Sequence, residues 1–326
     1  MKPVRTLPRG IIYALLAAAL FGASTPFAKV LIDNIAPVLL AGLLYLGSGL
    51  GLLAVWGLRR LRSADANRQA HLTRRDLPWL AGAILTGGVL GPCLLMLGLA
   101  TTAASTASLT LNLEGVFTAL IAWFVFRENF DRRILLGMIC IVSGSVLLSW
   151  EPLVLRESAW GIVTIAGACL CWAIDNNLTR RISASDAVQI AAIKGLVAGG
   201  VNLALALALG ADWPGIRQIL PAVIIGFFGY GVSLVLFVLA LRHLGTARTG
   251  AYFSAAPFVG ALVALVLLQE QPGLPFCLAF ALMALGLLLH LTERHNHLHR
   301  HESLHHSHSH VHDEHHQHAH ESNWDG

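Results

Sequence analysis

Charge is scarce in this 326-residue sequence. Only 12% of its residues are Asp, Glu, Lys or Arg, where soluble domains carry about 25%. Uncharged stretches reach 25 residues (34–58), 24 (218–241) and 37 (77–113), and about 20 apolar residues suffice to cross a bilayer. That shortage excludes a soluble enzyme, a secreted disulfide scaffold and a disordered regulator. Cysteine is also sparse: Cys93, Cys140, Cys169, Cys171 and Cys277 lie in apolar stretches with no CxxC, so no disulfide framework is implied. Phosphate-cradling Gly loops are absent, which leaves ATP-driven transport unsupported. No small-residue cleavage site interrupts the apolar run after Arg9, so it reads as an uncleaved first span.

What is present is 56% hydrophobic residues, divided by charge and Pro/Gly punctuation into ten expected spans. These fall near 11–31, 37–58, 78–99, 102–126, 134–150, 159–179, 187–209, 219–241, 249–268 and 274–291. Eighteen of the 22 Lys and Arg sit on alternate segments beginning with the N-terminus; Lys29, Arg156 and Arg217 lie opposite, and Lys194 falls inside span seven. The net charge of +4 therefore reflects Arg-rich loops on one side of a membrane rather than a nucleic-acid partner, and it places both termini in the cytoplasm. The halves also repeat. Offset by 142 residues, Phe124-Val125-Phe126-Arg127-Glu128 lies over Val266-Leu267-Leu268-Gln269-Glu270, and each Glu has a Gly sixteen residues on, Gly144 and Gly286. Five spans is an odd number, so the second copy enters upside down. The expectation is an all-α polytopic membrane protein with ten transmembrane helices as two inverted five-helix repeats. Its segments are a cytoplasmic N-terminus (1–10), repeats at 11–150 and 151–291, and a tail (292–326). Such folds place a substrate site near the midplane between the halves.

On these residues, the span ending in Glu128 followed by Gly137 and Gly144 and its counterpart ending in Glu270 and Gly286, the chain resembles the drug/metabolite transporter superfamily. The resemblance is to the ten-span branch with two EamA-type repeats and covers about residues 10–291. It implies a secondary transporter of the inner membrane. Ala279 stands where the first copy has Gly137, Phe21-Gly22 replaces the common Trp-Gly, and Tyr45 sits about where many members carry an Arg. Loss of that Arg argues against an organic-anion substrate.

Ionisable groups deep in a span are costly and mark candidate sites. Glu114 lies near the middle of span four, with Thr110 and Thr118 on its face. Asp175 opens Asp175-Asn176-Asn177 in span six and is read either as a substrate or proton group or as the ion-pair partner of Lys194. Asn112 adds a further polar group, and the expected substrate or proton pathway comprises Glu114, Asp175, Asn176, Asn177 and Asn112. Glu128 and Glu270, at helix ends where a carboxylate is cheap, are expected to be structural or gating, as is Lys194. Gly47-x3-Gly51, Gly87-x3-Gly91 and Gly195-x3-Gly199 are expected to let helix backbones approach closely.

The tail is the densest signal. Fourteen of sixteen histidines lie between His290 and His320, and the expected metal ligands are His295, His297, His299, His301, His305, His306, His308, His310, His312, His315, His316, His318 and His320. Neutral imidazoles at this density suit a borderline transition metal such as nickel, cobalt or zinc. The HExxH-like run His301-Glu302-Ser303-Leu304-His305 lacks a rigid cleft and a third fixed ligand, so no enzyme is expected. Four methionines and scattered cysteines argue against Cu(I). In this tail the chain looks similar to nickel–cobalt resistance permeases. The resulting expectation is an exporter of divalent transition metal, nickel or cobalt first, driven by proton exchange. No permanently bound cofactor is expected; the lipid bilayer and metal ions are partners, and a homodimer is compatible. The alternatives are an amino-acid or small-metabolite exporter with a regulatory tail, and a metal-sensing membrane protein that transports nothing.

Overall fold

Long apolar segments with every backbone group bonded inside its own helix are the economical solution to a low-dielectric surrounding, and the fold follows that rule. The computed structural model describes residues 9–62, 72–126, 132–148 and 155–291, and among them every regular element is helical. Helices α1 (Arg9–Ile32), α2 (Pro37–Arg62) and α3 (Leu77–Thr101) are followed by two shorter ones, α4 (Ala104–Thr110) and α5 (Leu113–Phe126). Then come α6 (Arg132–Leu148), α7 (Leu155–Ile182) and α8 (Ala187–Ala208). Helix α9 starts at Ile216 and keeps helical hydrogen bonding to Phe253, and α10 (Ala256–Leu267) and α11 (Leu274–Leu291) complete the bundle. Among the described residues, six helices are long and apolar enough to cross a membrane. Large apolar side chains such as Ile216, Leu220, Val266 and Leu274 face outward, as a lipid-facing surface requires.

The chain turns at Thr102 and Ala103, inside the small polar stretch where the sequence puts the break between spans three and four. At residues 242–248 the expected loop between spans eight and nine is instead helical backbone, since nothing in Leu241-Arg242-His243-Leu244 stops a helix. The chain nevertheless reverses there. Phe237 and Phe253 have ring centroids 4.8 Å apart, whereas sixteen residues of straight helix would separate them by about 24 Å. Leu244 lies against Gly10, near the start of α1, and Phe253 packs on Phe21, eleven residues further along it.

Helix α2 lies along α8, α6 along α11, and α1 along the second part of α9, while the end of α3 packs on α7. Glycine makes the first of these contacts possible: Gly49 and Gly195 each meet the other's backbone, so a β-carbon at either would force α2 and α8 apart. Two helices contain a π-helical turn, α3 at Ile84–Leu90 and α9 at Gly226–Val232. Such a turn inserts an extra residue and leaves carbonyls for other partners.

Helix ends are closed by short-range chemistry. The Asp186 carboxylate accepts from Val188 N at 2.9 Å and caps α8. Before α3, the Thr73 backbone N–H and hydroxyl both donate to Asp76 at 2.8 Å, which holds that exposed carboxyl below its usual range. After α10, Gln269 takes a left-handed conformation (φ 52°) and donates to Val266 O, redirecting the chain. The next residue, Glu270, then reaches α4 and accepts from Ala104 N (2.9 Å) and Ser105 N (3.1 Å). A carboxylate on the unpaired amides of a helix N-terminus is favourable on both hydrogen-bonding and dipole grounds.

Candidate functional site

Several of the polar groups inside the bundle line a cavity with about 610 Å3 of empty space, open solvent at its mouth included. Its walls come from α1, α2, α5, α7, α8 and α9. Asp175 and Lys194 face each other across α7 and α8. Lys194 Nζ donates to Asp175 Oδ1 at 2.6 Å and Oδ2 at 2.7 Å and to Thr179 Oγ1 at 3.3 Å, while Thr179 donates to Asp175 Oδ1 at 2.8 Å. Lys194 is 2% exposed, so nothing but this carboxylate and hydroxyl compensates its desolvation. A buried ion of either sign costs several kcal/mol unless paired in good geometry. The space that Asp175 fills exists because position 87 is a glycine: a β-carbon there would overlap the carboxylate.

Glu114 is held differently. The chain breaks at Leu111 and Asn112 between α4 and α5, and Glu114 sits in the first turn of α5, where the helix dipole favours a carboxylate. Its Oε1 accepts from Asn176 Nδ2 at 2.6 Å. The Cys169 thiol donates to the carbonyls of Thr110 and Leu111 at the break. Among the described residues lining the cavity, Lys194 is the one basic side chain, and Asp175 already pairs it. Glu114 therefore has an amide for a partner and no cation.

Aromatic rings form much of the remaining wall. Phe21 stands 5.7 Å from Trp172, 5.8 Å from Tyr230 and 5.6 Å from Phe253, centroid to centroid, and Tyr45 lies 5.4 Å from Tyr230. Tyr45 and Trp172 both donate to the Gly87 carbonyl in the π turn of α3, at 2.7 and 3.0 Å, and Asn202 donates to the neighbouring Gly88 carbonyl at 3.0 Å. The π turn is thus braced by two side chains of the cavity wall. Tyr230 belongs to the π turn of α9; its buried hydroxyl has the Ser24 hydroxyl near it but makes no hydrogen bond of regular geometry, and Ser24 itself donates to Phe21 O.

Of the expected pathway residues, Glu114, Asp175 and Asn176 come together in this cavity. Asn177 instead donates to Ala173 O on its own helix, and Asn112 bonds Leu109 O and approaches the Met283 sulfur, so neither lines the cavity. Glu270 is an N-terminal cap of α4, and Lys194 is the counter-ion of Asp175. Glu128 and the thirteen tail histidines named as metal ligands lie outside the described residues. Among those described, no group of three His, Cys, Asp or Glu is placed to hold a metal ion. Sequence reasoning did not find the aromatic wall, because its rings come from four helices and share no periodicity.

An all-helical, membrane-spanning bundle around a central cavity of this make-up is the body of a transporter. The EamA-like transporter family matches residues 8–150 and again 159–292, and the chain belongs to that family. A protein of Methanothermobacter thermautotrophicus described as an uncharacterized transporter is 30% identical over 273 residues, covering 80% of each chain. One crystal structure aligns with a TM-score of 0.63 at 19% identity, over 86% of this chain and 95% of the other. That likeness concerns the fold alone.

Proposed function

We propose that the protein is a secondary exporter that moves a small organic solute through the Glu114–Asp175 cavity. It has ten spans in two inverted five-helix repeats, lies in the inner membrane, and keeps both termini in the cytoplasm. The observation that carries the substrate class is the cavity wall itself: aromatic rings around one carboxylate that has no counter-ion among the described residues. Clefts with apolar walls and a few placed polar groups suit organic ligands. The repeat reading is supported by the π turns at Ile84–Leu90 and Gly226–Val232, which stand 142 residues apart, the offset that superimposes the Glu128 and Glu270 segments. Two family matches in tandem and the chain breaks at 111–112 and 254–255 agree with it.

Coupling to protons would run through Glu114, whose neighbours around the cavity are Asp175 and Cys169 of α7, Lys194 of α8, Tyr45 of α2 and Tyr230 of α9. Export of nickel or cobalt is the second reading. It rests on the fourteen histidines between His290 and His320, which can gather ions for a pathway elsewhere in the chain.

Counterflow in proteoliposomes separates the two. Wild-type protein should exchange labelled organic solutes, and Leu234→Trp, which places an indole in the cavity, should abolish that exchange without lowering the melting temperature. Exchange of labelled nickel with no exchange of any organic solute would hand the function to the metal reading.

A further inference from the structure

Resting on the reading that this cavity is the transport site, we propose that its substrate is a monovalent organic cation: an ammonium or guanidinium on an apolar body, with its charge against Glu114 and its body against the aromatic wall. The inference comes from the charge balance of the cavity and from the engagement of its ammonium and N–H donors. An anion needs free donors, and the charged and N–H donors are largely engaged, the Tyr230 hydroxyl being the free one. The Lys194 ammonium is bonded to both Asp175 oxygens and to Thr179. The Tyr45 hydroxyl and the Trp172 indole N–H both go to Gly87 O, and the Ser233 hydroxyl goes to Ala17 O. One amide hydrogen of Asn176 is held by Glu114.

A cation finds the opposite. Asp175 and Lys194 cancel, so an ionised Glu114 leaves the lining with one net negative charge among its described residues. Its Oε1 is engaged by Asn176, whereas Oε2 has no hydrogen bond among the described residues. The buried Tyr230 hydroxyl, without a regular hydrogen bond of its own, can accept as well as donate, so the sign of the ligand is decided by Glu114 and the rings. Phe21, Trp172 and Phe253 supply ring surface, which attracts cations more strongly once water is excluded. A divalent metal fits this arrangement poorly, since one free carboxylate cannot replace the several ligands of a hydrated ion. A guanidinium or quaternary ammonium, by contrast, keeps its charge delocalised or methyl-shielded and pays less desolvation.

The test uses the full-length protein in lipid nanodiscs and calorimetric titration with benzyltrimethylammonium, whose charge is fixed, beside benzyl alcohol and phenylacetate. Saturable binding is expected for the cation alone, weakened roughly tenfold or more in Glu114→Gln. Phe21→Leu, which keeps an apolar filler but removes the ring, should weaken cation binding about threefold or more. It carries the test should Glu114→Gln fail to fold. Phenylacetate binding as tightly as the cation, or equal cation affinity in wild type and a folded Glu114→Gln, overturns the inference. So does cation affinity unchanged in Phe21→Leu, or nickel displacing the cation from wild type. Leu234→Trp keeps the two proposals apart. If it abolishes solute exchange while cation selectivity is absent, only the substrate class is lost; if exchange survives it, the cavity is not the transport site.

Discussion

Asp175 and Glu114 line the same cavity, one helix apart, yet their surroundings make them opposite kinds of carboxylate. Asp175 is closed: both oxygens face a lysine that is itself almost fully buried, and Thr179 completes the set. Glu114 is open: one oxygen meets an amide, and no described cation answers its charge. The difference teaches that depth in a membrane span marks a carboxylate as costly without saying what offsets the cost. A partner on the next helix makes it part of the scaffold, whereas a missing partner leaves it available to a proton or a substrate.

The largest effect that can break this comparison is on stability. Asp175→Asn strands the buried Lys194 and should cost about 3–5 kcal/mol, read as a lower unfolding midpoint in detergent. Adding Lys194→Met, which keeps the volume and removes the charge, should restore most of it. If Asp175→Asn alone is as stable as wild type, the closed carboxylate is not a scaffold element. Next is Glu114→Gln, expected to leave the melting temperature near that of wild type while reducing solute exchange by roughly tenfold or more, about 1.4 kcal/mol in the transport barrier. Equal loss of stability in the two single variants would erase the distinction between them.

Smaller effects sharpen the picture of the wall. Tyr45→Phe removes one of two donors from Gly87 O and should cost about 1 kcal/mol. Trp172→Phe should do the same, and the double variant measures how strongly the two braces on the π turn depend on each other. Glu270→Gln leaves a neutral acceptor at the N-terminus of α4 and should cost roughly 0.5 kcal/mol by the helix dipole, seen as a small drop in the unfolding midpoint. Smallest of all, deleting residues 295–326 should leave bundle stability and organic-solute exchange unchanged and remove most nickel binding. Lost exchange would tie the tail to the transport site.

Much of this site was legible before any coordinates. Glu114, Asp175 and Lys194 stand out because ionisable residues are rare in apolar runs, and the pairing with Lys194 was one of the two readings that the sequence left open for Asp175. The hydroxyl at Thr179, one turn from Asp175, was equally visible as an i+4 neighbour. What could not be read was rotation. Asn176 turns into the cavity and Asn177 back onto its own helix, one residue apart, because adjacent residues point about 100° apart and packing fixes which direction is inward. Asn112 carries the same polarity as Asn176 yet closes the break between α4 and α5.

The sequence by itself determined the membrane-spanning helical class and the few charges that must find partners. These depend on composition along the chain, which a bilayer reads segment by segment. Only the tertiary structure decided that Lys194 belongs to Asp175 while Glu114 keeps an amide. It alone gathered Phe21, Tyr45, Trp172, Tyr230 and Phe253 from four helices into one wall, and it alone turned Glu270 onto the start of α4. Such pairings join residues far apart in the chain; their geometry is set by which helix faces meet, and no local pattern encodes that.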